Sequence, residues 1–180
     1  MEGLRHTAIR SVASSILLLV AIASSGCGYR LQTVHGGRFL DQQLRIDLEP
    51  FRNLSFDADA GALMAVRVRE ELRRNGFRGR FEKDGADYLV EGTVRQVKED
   101  VSSHGSDGFA LEHALSLTVD IRVVEVVHGQ LILKEDGVTE TAAYFAGPDF
   151  QYTESNRRMA LEEACRRIAR RLGQSLRMVL

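Results

Sequence analysis

Few residues in this chain of 180 residues have the types and spacing that enzymatic chemistry requires. Ser106 and Ser116 lack the glycine-flanked context of a nucleophile elbow. The stretch Gly105–Gly108 is too short for a phosphate-binding loop and lacks its lysine. Beyond the N-terminal segment the histidines stand singly, without the spacing of a zinc site: His35, His104, His113 and His128. We therefore expect a protein that is not an enzyme and that binds no metal or cofactor.

Cys27 has a sequence context that favours export and covalent modification. It follows three small residues (24–26), which come after a continuous apolar run from Ile16 to Ala23. That order is typical of a secretory signal peptide, and the run is shorter than the roughly 20 residues that a transmembrane helix needs. We therefore predict that residues 1–26 are a signal peptide and that residues 27–180 form a single exported domain.

The overall charge and the second cysteine exclude some further functions. With 24 basic and 25 acidic residues the chain has a formal net charge of -1, so we expect no nucleic-acid partner. Cys165 lies on the apolar face of a predicted helix. We expect it to be a buried, small hydrophobic residue rather than a reactive thiol.

Arginine is concentrated in the C-terminal segment, and two interpretations are open. In the first, the arginines line a solvated helix face and pair with glutamates of the same helix, such as Glu162 with Arg166 and Glu163 with Arg167. In the second they form a cationic patch for an anionic ligand, because the planar guanidinium group binds phosphate bidentately. The candidate contact residues are Arg166, Arg167, Arg170 and Arg171, together with Arg95 and Arg122 from the predicted outer face of a sheet.

Hydrophobic periodicity predicts the elements that must position these side chains. Apolar residues recur at helical spacing in two segments and alternate with polar residues in four. An α+β fold follows, with an antiparallel or mixed four-stranded sheet and two amphipathic helices packed on one of its faces. The predicted helices span residues 58–75 and 155–178, with Thr153 or Ser155 capping the second, and the predicted strands span residues 44–48, 87–101, 115–123 and 131–144.

Three local predictions concern packing and turns. Phe51 and Phe56 lie in a turn before the first helix, where we expect both to pack against the core. Gly92, within a strand, indicates a bulge or the close approach of a neighbouring element. The small polar residues Ser102–Gly108 predict a flexible hairpin tip.

The junction before Cys27 resembles the lipobox of bacterial lipoproteins. In that family the signal peptide is cut before the cysteine, which then carries acyl chains. Ser24 departs from the pattern, since the family usually has leucine there, and cleavage of a plain secretory peptide near Ala23 remains an alternative. The resemblance implies lipidation at Cys27, and Gly28 rather than aspartate after the cysteine implies the outer membrane.

The order of features in the mature chain resembles the LptE family of lipopolysaccharide-assembly lipoproteins. The chain starts with Cys27–Leu31 (CGYRL) and continues with Glu49–Asn53 (EPFRN), similar to the family's Pro-Phe-x-Asn segment. A helix ends near Asn75–Phe77. The stretch Ala86–Val94 (ADYLVEGTV) is similar to the family's strand entry, and an arginine-rich C-terminal helix completes the order.

The resemblance implies a lipid-anchored protein on the periplasmic side of the cell outer membrane. Its expected partners are the lipopolysaccharide-transport β-barrel, lipopolysaccharide itself, and the membrane through the acyl chains. The expected function is to assist assembly of that barrel, to plug it, and to help deliver lipopolysaccharide to the cell surface. The alternative function is that of a lipoprotein that regulates a peptidoglycan synthase or supports a secretion pore.

Overall fold

A computed structural model describes residues 44–77, 85–104, 110–147 and 149–180. The predicted signal peptide and Cys27 lie outside these ranges. In chain order, the described residues form strands β1 (Ile46–Leu48) and β2 (Arg52–Asn53), helix α1 (Ala60–Arg74), strands β3 (Tyr88–His104), β4 (Ala110–Glu125) and β5 (Leu131–Phe145), and helix α2 (Phe150–Val179).

The strands form one mixed sheet, as predicted. Strands β3, β4 and β5 are an antiparallel meander, and β1 and β2 both pair in parallel with the first half of β3. Parallel pairing needs a crossover connection between the strands, and α1 lies in that connection. Both helices pack on one face of the sheet. The predicted α+β class is confirmed, with β2 as a fifth strand of two residues.

The core lies between the helices and the sheet. Every second residue of β4 from Leu115 to Val123 is at most 2% exposed. Burial of each of these side chains stabilises the folded state by about 1.5 to 3 kcal/mol. Leu161, Ile168 and Leu172 of α2 pack against this face. Cys165 is buried beside them, as predicted, and burial raises the pKa of its thiol to about 12.

Helix α2 begins five residues before its predicted start. The Asp149 side chain caps the helix by accepting a hydrogen bond from the backbone nitrogen of Tyr152 at 2.7 Å. The predicted cap Thr153 lies inside the first turn, where its hydroxyl donates to the Asp149 carbonyl and accepts from the nitrogen of Gly147. An aspartate that can accept from the first turn is a strong N-cap, so the helix begins there.

Phe51 and Gly92 form a close contact inside the core. The Phe51 side chain is buried, and its ring lies over Gly92 so closely that a Cβ atom there would be 2.0 Å from the ring. The predicted close approach at Gly92 is thus confirmed. Phe56, in contrast, is fully exposed, so the prediction that it packs on the core is wrong. Asn53 accepts from Ser55 and donates to the Asp57 carbonyl, and this tight turn leaves Phe56 on its outer side.

The open edge of β5 is partly covered by side chains of α2. Arg167 donates to the carbonyl oxygen of Thr141 at 2.9 Å, and Asn156 donates to the carbonyl oxygen of Phe145 at 2.9 Å. These two carbonyls belong to the backbone edge that faces away from β4. An edge strand with free carbonyls is a template for pairing with another chain, and α2 occupies two of these groups.

Candidate ligand-binding and partner-binding surfaces

Three of the predicted contact arginines gather around one carboxylate on α2. Arg167 donates to Glu163 at 2.9 Å, Arg170 lies 3.5 Å from the same oxygen, and Arg166 forms an ion pair with the other oxygen. The three arginine side chains are 43% to 53% exposed. Three cations share one anion, so the cluster keeps two positive charges on the surface.

The intrahelical pairs expected from the sequence form in part. Glu163 pairs with Arg167 as predicted. Glu162 instead accepts from Arg67 of α1 at 2.6 Å and lies 3.8 Å from Arg158. Because Glu162 pairs with Arg67 of α1, Arg166 pairs with Glu163 and not with Glu162. The contact between the helices could not be seen in the spacing of α2 alone.

Arg171 lies on the flank of α2 that meets β5. It donates to Glu135 at 2.9 Å, and Ser175, one turn later, donates to the other oxygen of that carboxylate at 2.7 Å. The Arg171 side chain is 55% exposed, so one edge of its guanidinium group remains open to solvent. Its charge is balanced within the protein, unlike that of the cluster around Glu163.

Arg95 and Arg122 lie on the opposite face of the sheet, as the alternation predicted. Arg95 donates to Asp120 at 2.5 Å, and the nitrogen of Gly137 donates to its other oxygen at 2.8 Å. Although burial alone would raise it, the hydrogen bonds from Gly137 and Arg95 hold the pKa of Asp120 below its ordinary value. A cavity of about 300 Å³ opens here, with balanced charges from Arg52, Arg95 and Arg122 and from Glu49, Glu91 and Asp120.

The six candidate arginines therefore form two surfaces rather than one. The arginines of α2 lie on the helix side of the sheet, whereas Arg95 and Arg122 lie on the side without helices. A single phosphate cannot contact both sets. The helix surface has an excess of positive charge, because the two helices contain eleven arginines and five glutamates.

A polar network that the sequence did not reveal joins strands β3 and β5, helix α2 and the turn before α1. Arg157 of α2 donates to Asp57 at 2.7 Å and to Glu99 of β3 at 2.7 Å. The Tyr144 hydroxyl of β5 donates to the other oxygen of Glu99 at 2.5 Å. The Asp57 and Tyr144 side chains are buried, and Arg157 is 22% exposed. The partners are 45 to 100 positions apart in the chain, so no local sequence pattern predicts these contacts.

The network shifts the titration of its members. Burial and the Glu99 carboxylate raise the pKa of Tyr144 well above its ordinary value. For Glu99, burial acts to raise the pKa, but the hydrogen bonds from Tyr144 and Arg157 outweigh it and hold the pKa below its ordinary value. The folded state thus favours a neutral tyrosine beside an ionised glutamate.

Tyr144→Phe is expected to flatten the dependence of stability on pH. In the unaltered protein the stability due to Tyr144 is present below its ordinary pKa of 10.0 and is lost as pH rises beyond it. The stability due to Glu99 is present above its ordinary pKa of 4.5 and is lost as pH falls through the lower folded value. The variant should lose roughly 1 kcal/mol at neutral pH and show smaller losses at both extremes. Urea unfolding at a series of pH values measures these losses. If the variant loses stability at alkaline pH as steeply as the unaltered protein does, the prediction is wrong.

The described ranges contain neither a metal-binding group nor a membrane-spanning helix. No three His, Cys, Asp or Glu side chains in these ranges lie where they could share a metal ion. Neither α1 nor α2 combines the length and the apolar content that crossing a bilayer would take. His113 stacks on Tyr144, with 5.0 Å between the ring centres, and so acts in packing.

Comparison with known proteins gave one family and several similar structures. A family model described as "LptE: Lipopolysaccharide-assembly" matches residues 44–176. A Caulobacter crescentus protein is 16% identical over 74% of this chain and 88% of its own, with a TM-score of 0.55. Rare lipoprotein B from Shewanella oneidensis is 18% identical over 73% and 92%, with a TM-score of 0.51. The comparison with curated proteins gave no match. At these identities the structures show a shared fold.

Proposed function

The chain belongs to the LptE family of lipopolysaccharide-assembly proteins, and we propose that it is a non-enzymatic outer-membrane lipoprotein that partners the lipopolysaccharide-transport β-barrel. In this role it assists assembly of the barrel, plugs it, and helps to deliver lipopolysaccharide to the cell surface. The observation that carries the proposal is the family match over residues 44–176, which includes all five described strands, α1, and all but the last turn of α2.

The β3–β4 hairpin supports a partner with a lumen. Strand β3 pairs with β2 as far as Val94, and Arg157 ties β3 to α2 at Glu99. Beyond Glu99 the strand continues for five residues to His104, about 17 Å, with mostly exposed side chains. Strand β3 continues through Ser102 and Ser103 to His104, so these two serines belong to the strand rather than to a loop, and the rest of the predicted tip, Gly105–Gly108, lies outside the described residues. Strand β5 pairs with β4 along this stretch as far as Phe145, opposite Glu112, so the extension is a three-stranded, largely exposed end of the sheet. An exposed end of this kind fits the water-filled interior of a barrel.

Purification of the tagged, full-length protein from membranes tests the proposal. The lipopolysaccharide-transport barrel should be recovered in a near-equal amount, and it should be absent when an unrelated outer-membrane lipoprotein carries the tag. Consistent absence of the barrel would contradict the proposal. Recovery of a peptidoglycan synthase or of secretion-pore proteins in its place would favour the alternative function.

Lipidation at Cys27 is part of the proposal. Acyl chains there would hold the protein on the periplasmic side of the outer membrane, because two or more chains give stable attachment. Cells grown with labelled palmitate should incorporate it into the unaltered protein but not into the Cys27→Ala variant, which should be released from the outer-membrane fraction. Incorporation that survives the substitution would rule out this anchoring site.

We assign contact with the phosphates of lipopolysaccharide to Arg166, Arg167, Arg170 and Arg171, with Arg95 and Arg122 contacting the ligand or the barrel from the other face. Arg166→Ala combined with Arg170→Ala should weaken binding of lipopolysaccharide by about ten-fold or more, as expected for losing charge-assisted hydrogen bonds. A matched control removes the same charge from the end of α1, through Arg73→Ala and Arg74→Ala, two exposed arginines outside the assigned set. Equal losses in both double variants would show a general charge effect and no specific site.

A further inference from the structure

The outer face of the sheet, opposite the two helices, has a gap in its edge between β1 and β2. Strand β1 ends at Leu48, and the parallel pairing with β3 resumes at Arg52. Between these strands, Pro50 has no N–H group to donate to the ladder, and the ring of Phe51 turns to the helix side over Gly92. The cavity of about 300 Å³ described above opens at this gap, and we call it the outer-face cavity.

Two sequence segments that carry the family resemblance meet at the outer-face cavity. Glu49–Asn53 and Ala86–Val94 supply six of its nine lining residues. The packing of Phe51 on Gly92 explains why a phenylalanine and a glycine stand in these segments. It does not explain the charged residues of the segments, which line the cavity on the other side of the sheet.

Most of the charge in the outer-face cavity is not paired among the described residues. Of the six charged side chains that line it, two form a hydrogen-bonded ion pair with each other. Within the described ranges, neither ion pairs nor hydrogen bonds engage the other four side chains, which are Arg52, Arg122, Glu49 and Glu91. Glu91 and Arg122 are even opposite each other in the β3–β4 register, where opposite charges usually interact. Two cations and two anions therefore line one cavity without neutralising each other.

The strand register gives the unpaired charges an order. The pairing of β1 with β3, carried one residue past its last pair, places Glu49 beside Glu91. Like charges at neighbouring positions of a sheet are destabilising, unless a cation lies between them. Arg52 and Arg122 lie on the two strands that flank β3, and Thr93 of β3 lies between these strands. The arrangement therefore has room for one cation at the glutamates and one anion at the arginines.

The neighbouring charged residues of the described chain have partners of their own. Lys134, on the next strand β5, forms an ion pair with Asp136. Arg45, near the start of β1, lies 3.7 Å from Asp87. Asp47, on the same face of β1, has a buried side chain that accepts a backbone hydrogen bond at 2.8 Å. The surroundings thus add one negative charge beside the glutamates and no unpaired cation.

We propose that the outer-face cavity binds a zwitterionic phosphoethanolamine group. The phosphate accepts hydrogen bonds from Arg52 and Arg122, because the planar fork of a guanidinium group matches phosphate oxygens. The primary ammonium group donates to the carboxylates of Glu49 and Glu91 and removes the repulsion between them. A volume of about 300 Å³ is at the small end of the range for ligand pockets, which suits a headgroup rather than a whole lipid.

The same chemistry disfavours two close analogues of phosphoethanolamine. Glycerol phosphate carries no cation, so Glu49 and Glu91 would repel it. Phosphocholine has a quaternary ammonium group without an N–H to donate. Such a group binds to aromatic faces, and no aromatic side chain of the described ranges lines this cavity.

Two sources present a phosphoethanolamine group in a bacterial envelope. One is the headgroup of phosphatidylethanolamine, and the other is lipopolysaccharide whose sugar phosphates carry ethanolamine. The second source belongs to the proposed function, on which this part of the inference rests. It would give Arg122 a defined ligand group on the face opposite the arginines of α2.

Phosphorus NMR of soluble probes tests the proposal on the acylated full-length protein, purified in dodecyl maltoside without the barrel. The probes are glycerophosphoethanolamine, glycerophosphocholine and glycerol phosphate. Broadening of each phosphate signal during titration gives its dissociation constant. The constant for glycerophosphoethanolamine should be lower than the other two by about ten-fold or more. Equal constants for the three probes would overturn the proposal.

Neutralising the glutamates should have opposite effects on two probes. Glu49→Gln combined with Glu91→Gln should weaken binding of glycerophosphoethanolamine by about ten-fold. The same variant should bind glycerol phosphate more tightly than the unaltered protein does, because the repulsion is gone. Glu112→Gln combined with Glu140→Gln is the matched control, since it removes the same charge outside the cavity and should leave the constants unchanged. Tighter binding of both probes by the first variant would indicate attraction by net charge alone and would refute the site.

The arginines and the source of the group are tested with the same probes. Arg52→Gln combined with Arg122→Gln should weaken binding of all three probes by about ten-fold. Vesicles of phosphatidylethanolamine and lipopolysaccharide with or without ethanolamine then compete with bound glycerophosphoethanolamine. Displacement by one ethanolamine-bearing competitor identifies the source, and displacement by neither would contradict the assigned ligand. Probe binding and recovery of the barrel are separate measurements, so failure of either leaves the other result intact.

Discussion

Valine at position 92 is expected to lower the free energy of unfolding by about 2 to 3 kcal/mol. The buried ring of Phe51 occupies the space that a side chain at position 92 would need, since a Cβ atom there would be 2.0 Å from a ring carbon. The Phe51 backbone cannot easily shift to move the ring away, because its carbonyl oxygen lies against Gly61. A Cβ atom at Gly61 would be 2.8 Å from that oxygen. Urea unfolding followed by circular dichroism measures the loss.

The second half of this prediction concerns Phe51. Phe51→Ala alone should cost about 3 to 5 kcal/mol, because it leaves a cavity in the core. When it is combined with Gly92→Val, the new side chain enters the vacated space, so the double variant should be more stable than the sum of the two losses predicts. Thr93→Val changes the next residue, on the other face of the sheet, and should alter stability by less than about 0.5 kcal/mol. Additive losses at positions 51 and 92 would contradict the packing described here.

Arg157→Ala is expected to destabilise the protein by about 2 to 4 kcal/mol. The substitution leaves Asp57 and Glu99 as neighbouring carboxylates without their shared cation, and Asp57 is 8% exposed. The expected loss of stability is smaller than that for breaking a fully buried ion pair, because the side chains of Arg157 and Glu99 are 22% and 32% exposed. Thermal unfolding at neutral pH measures the effect.

The pH dependence of that loss identifies its cause. Arg157 helps to hold the pKa of Glu99 low, so without it the carboxylate protonates at higher pH in the folded state. The deficit of the variant should therefore shrink as pH falls from neutral toward the range where the carboxylates protonate. Arg158→Ala is the matched control, because Arg158 is 66% exposed and lies 3.8 Å from its partner. Such an exposed pair contributes little. Similar losses in the two variants would refute the role given to the network.

The sequence predicted the elements whose periodicity is long and regular. The alternation from Leu115 to Val123 and the apolar stripe of α2 placed the sheet and the second helix correctly. Strand β2 was missed, because two residues cannot show a period. The start of α2 was misplaced, because Asp149 and Thr153 are both acceptable caps by type, and tertiary context decides between them.

The candidate surfaces were predictable to the extent that they depend on local spacing. Glu163 lies three, four and seven residues before Arg166, Arg167 and Arg170, so a cluster on one helix face follows from helical geometry. The network of Arg157 with Glu99 was not predictable, since it depends on how α2 lies across the sheet. Likewise, the turn held by Asn53 exposes Phe56, although hydrophobicity alone assigned that residue to the core.

The contacts of α2 with the edge of β5 also constrain the order in which the chain can assemble. The side chains that occupy the Thr141 and Phe145 carbonyls come from the 30-residue helix α2, which follows the sheet in the chain and is therefore synthesised after it. Until that helix docks, β5 presents an unguarded edge to every other copy in the same compartment. Protection of the β5 edge against strand-to-strand polymerisation is thus acquired only when α2 docks, and a chain interrupted before that helix is an aggregation-prone intermediate.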